Sequence, residues 1–193
     1  MSSTESSFIQ LIAALDYAAQ EHRDQRRKGA EQAPYINHPI ALLRILAVEA
    51  GITDPEVLTT AVLHDVIEDC SGRDQEFIGL RREEIGAGFG AEILALVEAV
   101  TDDKALPKAQ RKQAQVSHAG DLPPKARLVK LADKIANVRD IARCPPQQWD
   151  AQRITEYFDW AERVVDRMRG TDARLEALFD EALAHARVQA HGH

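Results

Sequence analysis

The segment His64-Asp65-Val66-Ile67-Glu68-Asp69 places four ionisable side chains in six residues at the end of a largely apolar run, Val57 to Val66. On a helix, His64, Glu68, Asp65 and Asp69 fall at about 0, 40, 100 and 140° around the axis. They form one polar arc, with Val62, Leu63, Val66 and Ile67 filling the other side. So apolar a helix sends the arc inward, and buried charge is costly unless paired or bound to a metal. A structural charge cluster at a helix end is the simpler account. Three carboxylates that need a cation favour a metal site instead.

A second ionisable group interrupts the apolar stretch Leu128 to Asn137, where Asp133 and Asn137 are one helical turn apart with Lys130 on the same side. The third contributor is His38, in Pro34-Tyr35-Ile36-Asn37-His38-Pro39. Pro39 is expected to keep His38 out of α geometry and to aim it from the start of a helix. Alone, this histidine is better explained as a cap or a core residue. With the other two groups it becomes a candidate ligand.

The order His38, His64-Asp65, Asp133 resembles the HD phosphohydrolase superfamily, in which a His, an adjacent His-Asp pair and a distant Asp hold a divalent metal. More narrowly, Gln25-Arg26-Arg27-Lys28, Pro34 to Pro39, Leu63 to Asp69 and Leu128 to Asn137 are similar to the hydrolase domain of RelA/SpoT-type alarmone enzymes. Val100-Thr101-Asp102-Asp103-Lys104 and Arg153 to Ala161 resemble its single-domain metazoan SpoT-homologue type. The resemblance covers roughly residues 8 to 180.

It implies one Mn²⁺ held by His38, His64, Asp65 and Asp133, an ion suited to mixed oxygen and imidazole ligands, though Zn²⁺ or Fe²⁺ could occupy the same set. The expected reaction is removal of the 3′-pyrophosphate of guanosine tetra- or pentaphosphate, leaving GDP or GTP. Glu68 and Asp69 would position or deprotonate the nucleophile, Glu68 first because it shares the His64 side of the helix. Asn137 would bond substrate or ligand. Arg27 and Lys28 would contact the nucleotide, and Lys104, Arg153 and Tyr157 its phosphates or ribose, although Tyr157 also suits a core position. His22, which lies in no matching motif, is expected behind the site or in the core. The family's synthetase domain would follow where this chain ends, so degradation without synthesis is the expectation. An HD enzyme acting on another nucleotide, such as the 2′-phosphate of NADPH, would keep the same metal site. A non-catalytic nucleotide sensor would be expected to have lost ligands or the Glu68-Asp69 pair.

Composition narrows the rest. The net charge of −7 argues against binding to a nucleic-acid backbone, which requires a broad basic face. Positive residues are nonetheless bunched, Arg23, Arg26, Arg27 and Lys28 in one group and Lys104, Lys108, Arg111 and Lys112 in another. The first adjoins the candidate site, which suits a compact anion; the second is equally explained as a solvated face. The two cysteines form no metal or disulfide pattern, and Cys70 and Cys144 are expected to act as small apolar residues. With no secretory signal and no membrane-length apolar run, the expected location is the cytoplasm. Oligomeric state is left open, a homodimer included.

Ala, Leu and helical spacing of apolar residues point to an all-α, compact multi-helix fold in one domain over residues 1–193. Helices are expected at Phe8 to His22, Pro39 to Ala50, Pro55 to about Asp69, Phe77 to Ile85, Ala91 to Val100, from Pro107 onward, and Lys125 to about Ala142. Two more run from Trp149 to about Arg187, divided near Gly170. A loop at Ser71 to Asp74, glycine breaks at Gly86, Gly88 and Gly90, and a disordered tail from 188 to 193 complete the expectation.

Overall fold

The computed structural model describes residues 3–70 and 74–190. Every regular element among them is helical: α1 (Ser3–Glu21), α2 (Asn37–Leu43), α3 (Pro55–Leu63), α4 (Val66–Cys70), α5 (Gln75–Phe89), α6 (Ala91–Val100), α7 (Lys108–His118), α8 (Pro124–Arg143), α9 (Ala151–Asp166) and α10 (Ala173–Ala190). The all-α expectation holds. Among the described residues no helix is long and apolar enough to cross a membrane.

Two helices position the chemistry. On α3, Val57, Ala61, Val62 and Leu63 are fully buried, and the helix packs against α1, α2, α6 and α8. Each large aliphatic side chain so enclosed stabilises the fold by roughly 1.5–3 kcal/mol. That apolar surround is what carries the adjoining His64-Asp65 pair inward. On α8, Leu131, Ala132, Ile135 and Val138 are fully buried, which leaves Asp133 and Asn137 for the remaining face. The two helix starts are tied together: Asp54 caps α3 by accepting the Glu56 N–H at 2.9 Å, and Lys125 Nζ lies 2.7 Å from both Asp54 and Glu56 carboxylates.

The connection from α1 to α2 carries Gln25 to Lys28 and is pinned at both edges. Arg27 N–H donates to Ala33 O at 2.9 Å, and Tyr35 N–H to Gln25 O at 3.0 Å. Gly29 pairs with Pro146 and lies against the end of α8. A Cβ on Gly29 would stand 2.9 Å from the Cys144 carbonyl oxygen, so only glycine allows that approach.

Several expected boundaries move. His38 lies inside α2, with its N–H donating to Tyr35 O at 2.9 Å. The preference of pre-proline residues for extended backbone yields to burial of His38, Pro39 and Leu42, and a proline in the first turn forfeits no helical hydrogen bond. After Leu43 the chain widens into a π-helical turn, Arg44–Glu49, whose end is marked by Ala50 N–H donating to Ile45 O at 2.9 Å. The expected helix Pro55 to Asp69 is interrupted at His64-Asp65, because His64 Nδ1 takes the Ala61 carbonyl at 2.9 Å. That carbonyl is the one a continuing helix would offer to Asp65 N–H.

Gly86 and Gly88 continue α5 rather than ending it. Gly90 alone divides α5 from α6, at φ 98° and ψ 161°, a conformation essentially reserved for glycine. Val188 to Ala190 extend α10, which corrects that part of the expected tail, while His191 to His193 and the loop residues Ser71 to Arg73 lie outside the described residues.

The glycines generate a paired prediction. A Cβ meets nothing within 4 Å at either Gly88 or Gly90, so only backbone conformation separates them. Gly90→Ala is expected to lower unfolding free energy by about 1–3 kcal/mol, and Gly88→Ala, inside a helix, to raise it by up to about 1 kcal/mol. Urea titration of both variants checks the signs.

Candidate functional site

His38 from α2, His64 and Asp65 from the break between α3 and α4, and Asp133 from the middle of α8 converge. One donor atom each from His38, His64 and Asp65 fits within 4.8 Å. His38 Nε2 lies 3.2 Å from Asp133 Oδ1 and 3.8 Å from Asp65 Oδ2, and His64 Nε2 lies 3.0 Å from Asp65 Oδ2. The imidazoles are buried, with ring centroids 5.3 Å apart.

The donor set suits a divalent cation on a specific ground. His64 Nδ1–H donates to the Ala61 carbonyl, which in the neutral ring leaves the Nε2 lone pair free, and buried Nε2, though 3.0 Å from Asp65 Oδ2, meets no hydrogen-bond partner in proper geometry among the described residues. A histidine whose far nitrogen is held by a carbonyl is the usual form of a metal ligand. Charge makes the same demand. Burial lowers the His64 pKa, but Asp65 and Asp133 outweigh it and raise it to about 9. Burial opposes ionisation of both carboxylates, yet His64 and His38 hold Asp65 below the usual carboxylate range, and Lys134 and His38 do so for Asp133. Burial dominates at His38 and pushes it down.

Each carboxylate is also oriented. Tyr35 Oη–H donates to Asp65 Oδ2 at 2.5 Å. Asn137 Nδ2 donates to Asp133 Oδ1 at 2.5 Å, and Lys134 Nζ lies 3.0 Å from Asp133 Oδ2. Tyr35 and Lys134 were given no role from the sequence. The signal for Tyr35 was its spacing of three from His38; that for Lys134 was a buried lysine adjoining an acidic residue.

Glu68 and Asp69 sit in different surroundings. Glu68 Oε2 accepts the Asp102 N–H at 3.1 Å, and burial first, then the Asp102 and Asp65 charges, raise its pKa to about 7. Asp69 is bound from two sides, by Lys104 Nζ at 2.6 Å and by Gln25 Nε2 at 3.1 Å. Gln25 is held in turn by buried His22, Nδ1 to Oε1 2.7 Å. Lys104, expected at the substrate's phosphates, is thus on a carboxylate and does not line the cleft.

The cleft has a volume of about 1330 Å³. Arg27, Lys28, Asn137, Arg153 and Tyr157 line it together with the ligand cluster and both candidate catalytic carboxylates. Arg27 reaches Asn137 Oδ1 at 3.0 Å and Asp140 at 2.9 Å, and its guanidinium lies over the Tyr35 ring at 5.4 Å. Tyr157 packs between Trp149 and Trp160, centroids 5.6 and 5.3 Å away. Arg153 lies 4.8 Å over Trp149.

The HD domain family model matches residues 14–158. The chain is 50% identical over 180 residues to the guanosine-3′,5′-bis(diphosphate) 3′-pyrophosphohydrolase MESH1 of Homo sapiens, covering 93% of this chain and 94% of that protein. Identity to the Drosophila melanogaster protein of the same name is 46% over 170 residues, 88% of this chain and 90% of that one. A solved structure described as a metazoan orthologue of SpoT that hydrolyses ppGpp and plays a role in starvation responses is similar with a TM-score of 0.83, at 43% identity over 91% of this chain and 94% of that chain. A Listeria monocytogenes protein shares the fold at a TM-score of 0.62 and 22% identity, over 81% and 98% of the two chains.

The cluster predicts a graded response to mutation. His64→Ala is expected to abolish stoichiometric binding of a divalent ion, measured by calorimetry on chelator-treated protein. Tyr35→Phe, which removes only the hydrogen bond to Asp65, should weaken binding about 10–100-fold. Full binding by His64→Ala would remove it from the ligand set.

Proposed function

Because the chain belongs to the HD domain family, we propose that it is a guanosine-3′,5′-bis(diphosphate) 3′-pyrophosphohydrolase, cleaving guanosine tetra- or pentaphosphate to pyrophosphate and GDP or GTP. The observation that carries this reading is the pairing of a poised acid-base group, Glu68, with the convergent His38, His64, Asp65 and Asp133 cluster at one cleft. The names and extent of the relatives supply the substrate. The same reading places the enzyme in the cytoplasm.

His38, His64, Asp65 and Asp133 would hold the metal, and their mixture of two imidazoles and two carboxylates suits Mn²⁺. When bound, it supplies Lewis acidity toward a phosphoryl oxygen and a lowered pKa for water. The protein's own groups do the remainder. Water attacks the phosphorus attached to the ribose 3′-oxygen, and the bond from that phosphorus to the 3′-oxygen breaks. Glu68 takes the proton from the water, Oε1 being the free oxygen because Oε2 accepts the Asp102 N–H. The same proton returns to the departing 3′-oxygen, which leaves a 3′-hydroxyl and pyrophosphate.

Asp69, braced by Lys104 and Gln25, is a fixed acceptor that orients the water. Lys104 therefore serves the reaction through Asp69, in place of the phosphate contact expected from the sequence. Arg27 and Lys28 meet the nucleotide, Arg153 meets phosphate, and Tyr157 offers an aromatic face to base or ribose. Asn137 divides its bonds between Asp133 and Arg27, joining the ligand cluster to the nucleotide side.

With Mn²⁺, purified protein is expected to release pyrophosphate from guanosine tetraphosphate. Orthophosphate release from NADPH with none from the tetraphosphate would overturn the substrate assignment. Glu68→Gln is expected to lower kcat about 10²–10⁴-fold while the metal stays bound. The base must be ionised to act, so kcat/KM should fall about tenfold per pH unit on the acid side of a break at or below about pH 7. A neighbouring cation moves that break down only. A Glu68→Gln protein with an unchanged rate would remove Glu68 from the mechanism.

A further inference from the structure

His22 is buried, 1% exposed, behind Gln25 and Tyr35, which line the cleft. The reaction as derived gives it no task, yet it touches two groups that have one. Its Nδ1 lies 2.7 Å from Gln25 Oε1, and Gln25 Nε2 donates to Asp69 Oδ2 at 3.1 Å. Its ring packs against the Tyr35 ring, centroids 4.8 Å apart and tilted by 33°. The Gln25 backbone is held on both sides: its N–H donates to His22 O at 3.0 Å, and its carbonyl accepts the Tyr35 N–H at 3.0 Å. The side-chain amide keeps the remaining freedom. A half-turn about its last bond would exchange the two ends and set a carbonyl oxygen against the Asp69 carboxylate, acceptor against acceptor.

We propose that His22 is a positioning residue: its Nδ1–H fixes the Gln25 amide with the nitrogen end toward Asp69, and so keeps Asp69 aligned to orient the attacking water. The proposal rests on the alarmone-hydrolase reading above. Lys104 holds one Asp69 oxygen and Gln25 the other. An ammonium on a flexible stem is a point charge that tolerates rotation of the carboxylate, so the direction of Asp69 comes from the planar amide. An ionised carboxylate only accepts, and it therefore selects the amide N–H. The amide oxygen is left for His22, which must then donate from Nδ1. Donor and acceptor alternate along His22, Gln25 and Asp69, an order in which each bond polarises the next.

Two substitutions separate the donor from the ring. His22→Phe keeps a ring against Tyr35 and removes the Nδ1–H, whereas His22→Asn removes the ring and can offer an N–H near the same place. With Mn²⁺ and guanosine tetraphosphate, His22→Phe is expected to lower kcat about tenfold, the worth of one hydrogen bond, with KM and divalent-ion binding retained. His22→Asn should recover most of that loss. The effect must also run through Gln25: added to Gln25→Met, His22→Phe should cost less than about twofold more. An unchanged kcat, the same loss in both backgrounds, or loss of the bound ion along with activity would overturn the proposal. Nitrogen NMR of the unmutated protein is the turnover-independent arm, and it decides even where His22→Phe fails to fold: His22 Nδ1 should carry a proton. The neutral Nε2–H tautomer overturns the proposal, because Nδ1 would then accept and turn the amide oxygen toward Asp69. If the unmutated protein leaves guanosine tetraphosphate uncleaved, the hydrolase reading fails, while the tautomer still decides how the amide is held.

Discussion

Two half-buried carboxylates beside two buried imidazoles set the terms for the rest of the molecule. Asp65 and Asp133 each stay ionised against the cost of burial only because positive or polar hydrogen-donating groups converge on them. Tyr35, Asn137, Lys134 and the two histidines supply those groups from three separate parts of the chain. Each donor also needs an anchor. Lys134 rests on Trp160 at 4.5 Å, and Asn137 is gripped by Arg27. The helices around α3 and α8 are the apolar enclosure that fixes a small charged centre at the cleft wall.

The same logic separates the two acidic residues beyond that centre. Glu68 is largely buried and has one backbone donor and three nearby negative charges, Asp102, Asp65 and Asp69, so its proton is held to near neutrality. Asp69, one residue on, is clasped by an ammonium and an amide. Adjacent positions in the chain thus differ sharply in surroundings, the contrast that the proposed division between proton transfer and water orientation would use.

Much of this was legible in the sequence, for reasons that differ by residue. Helical periodicity and the caps at Asp54 and Pro55 depend on near neighbours, so the helices were largely readable. His64, Asp65 and Asp133 stood out because charge inside apolar runs demands compensation. Tyr35 and Lys134 did not, since a tyrosine hydroxyl or a lysine acquires its role from a partner at distant sequence positions or across a turn. Lys104 was placed at phosphate by resemblance, but Asp69 is the nearer charge. The interruption after Leu63 and the helical backbone at His38 escaped because local rules state preferences, and burial together with the His64 to Ala61 bond exceeded them.

The contact between Gly29 and the end of α8 gives that helix a second office. Asp133, Asn137, Asp140 and Cys144 recur along one stripe of the α8 region, meeting in turn the ligand cluster, Arg27 twice, and the Gly29 turn. The span from Asp133 to Cys144 is thus a ruler about 16 Å long, against which the loop carrying Arg27 and Gly29 is gauged. Inserting or deleting one residue within it would turn the stripe by about 100° and dissociate the loop from the centre it serves. Length variation among functional descendants of this chain should therefore be accepted around Gly170, and refused along α8 and in the connection after Val100, which carries Asp102 and Lys104 to Glu68 and Asp69.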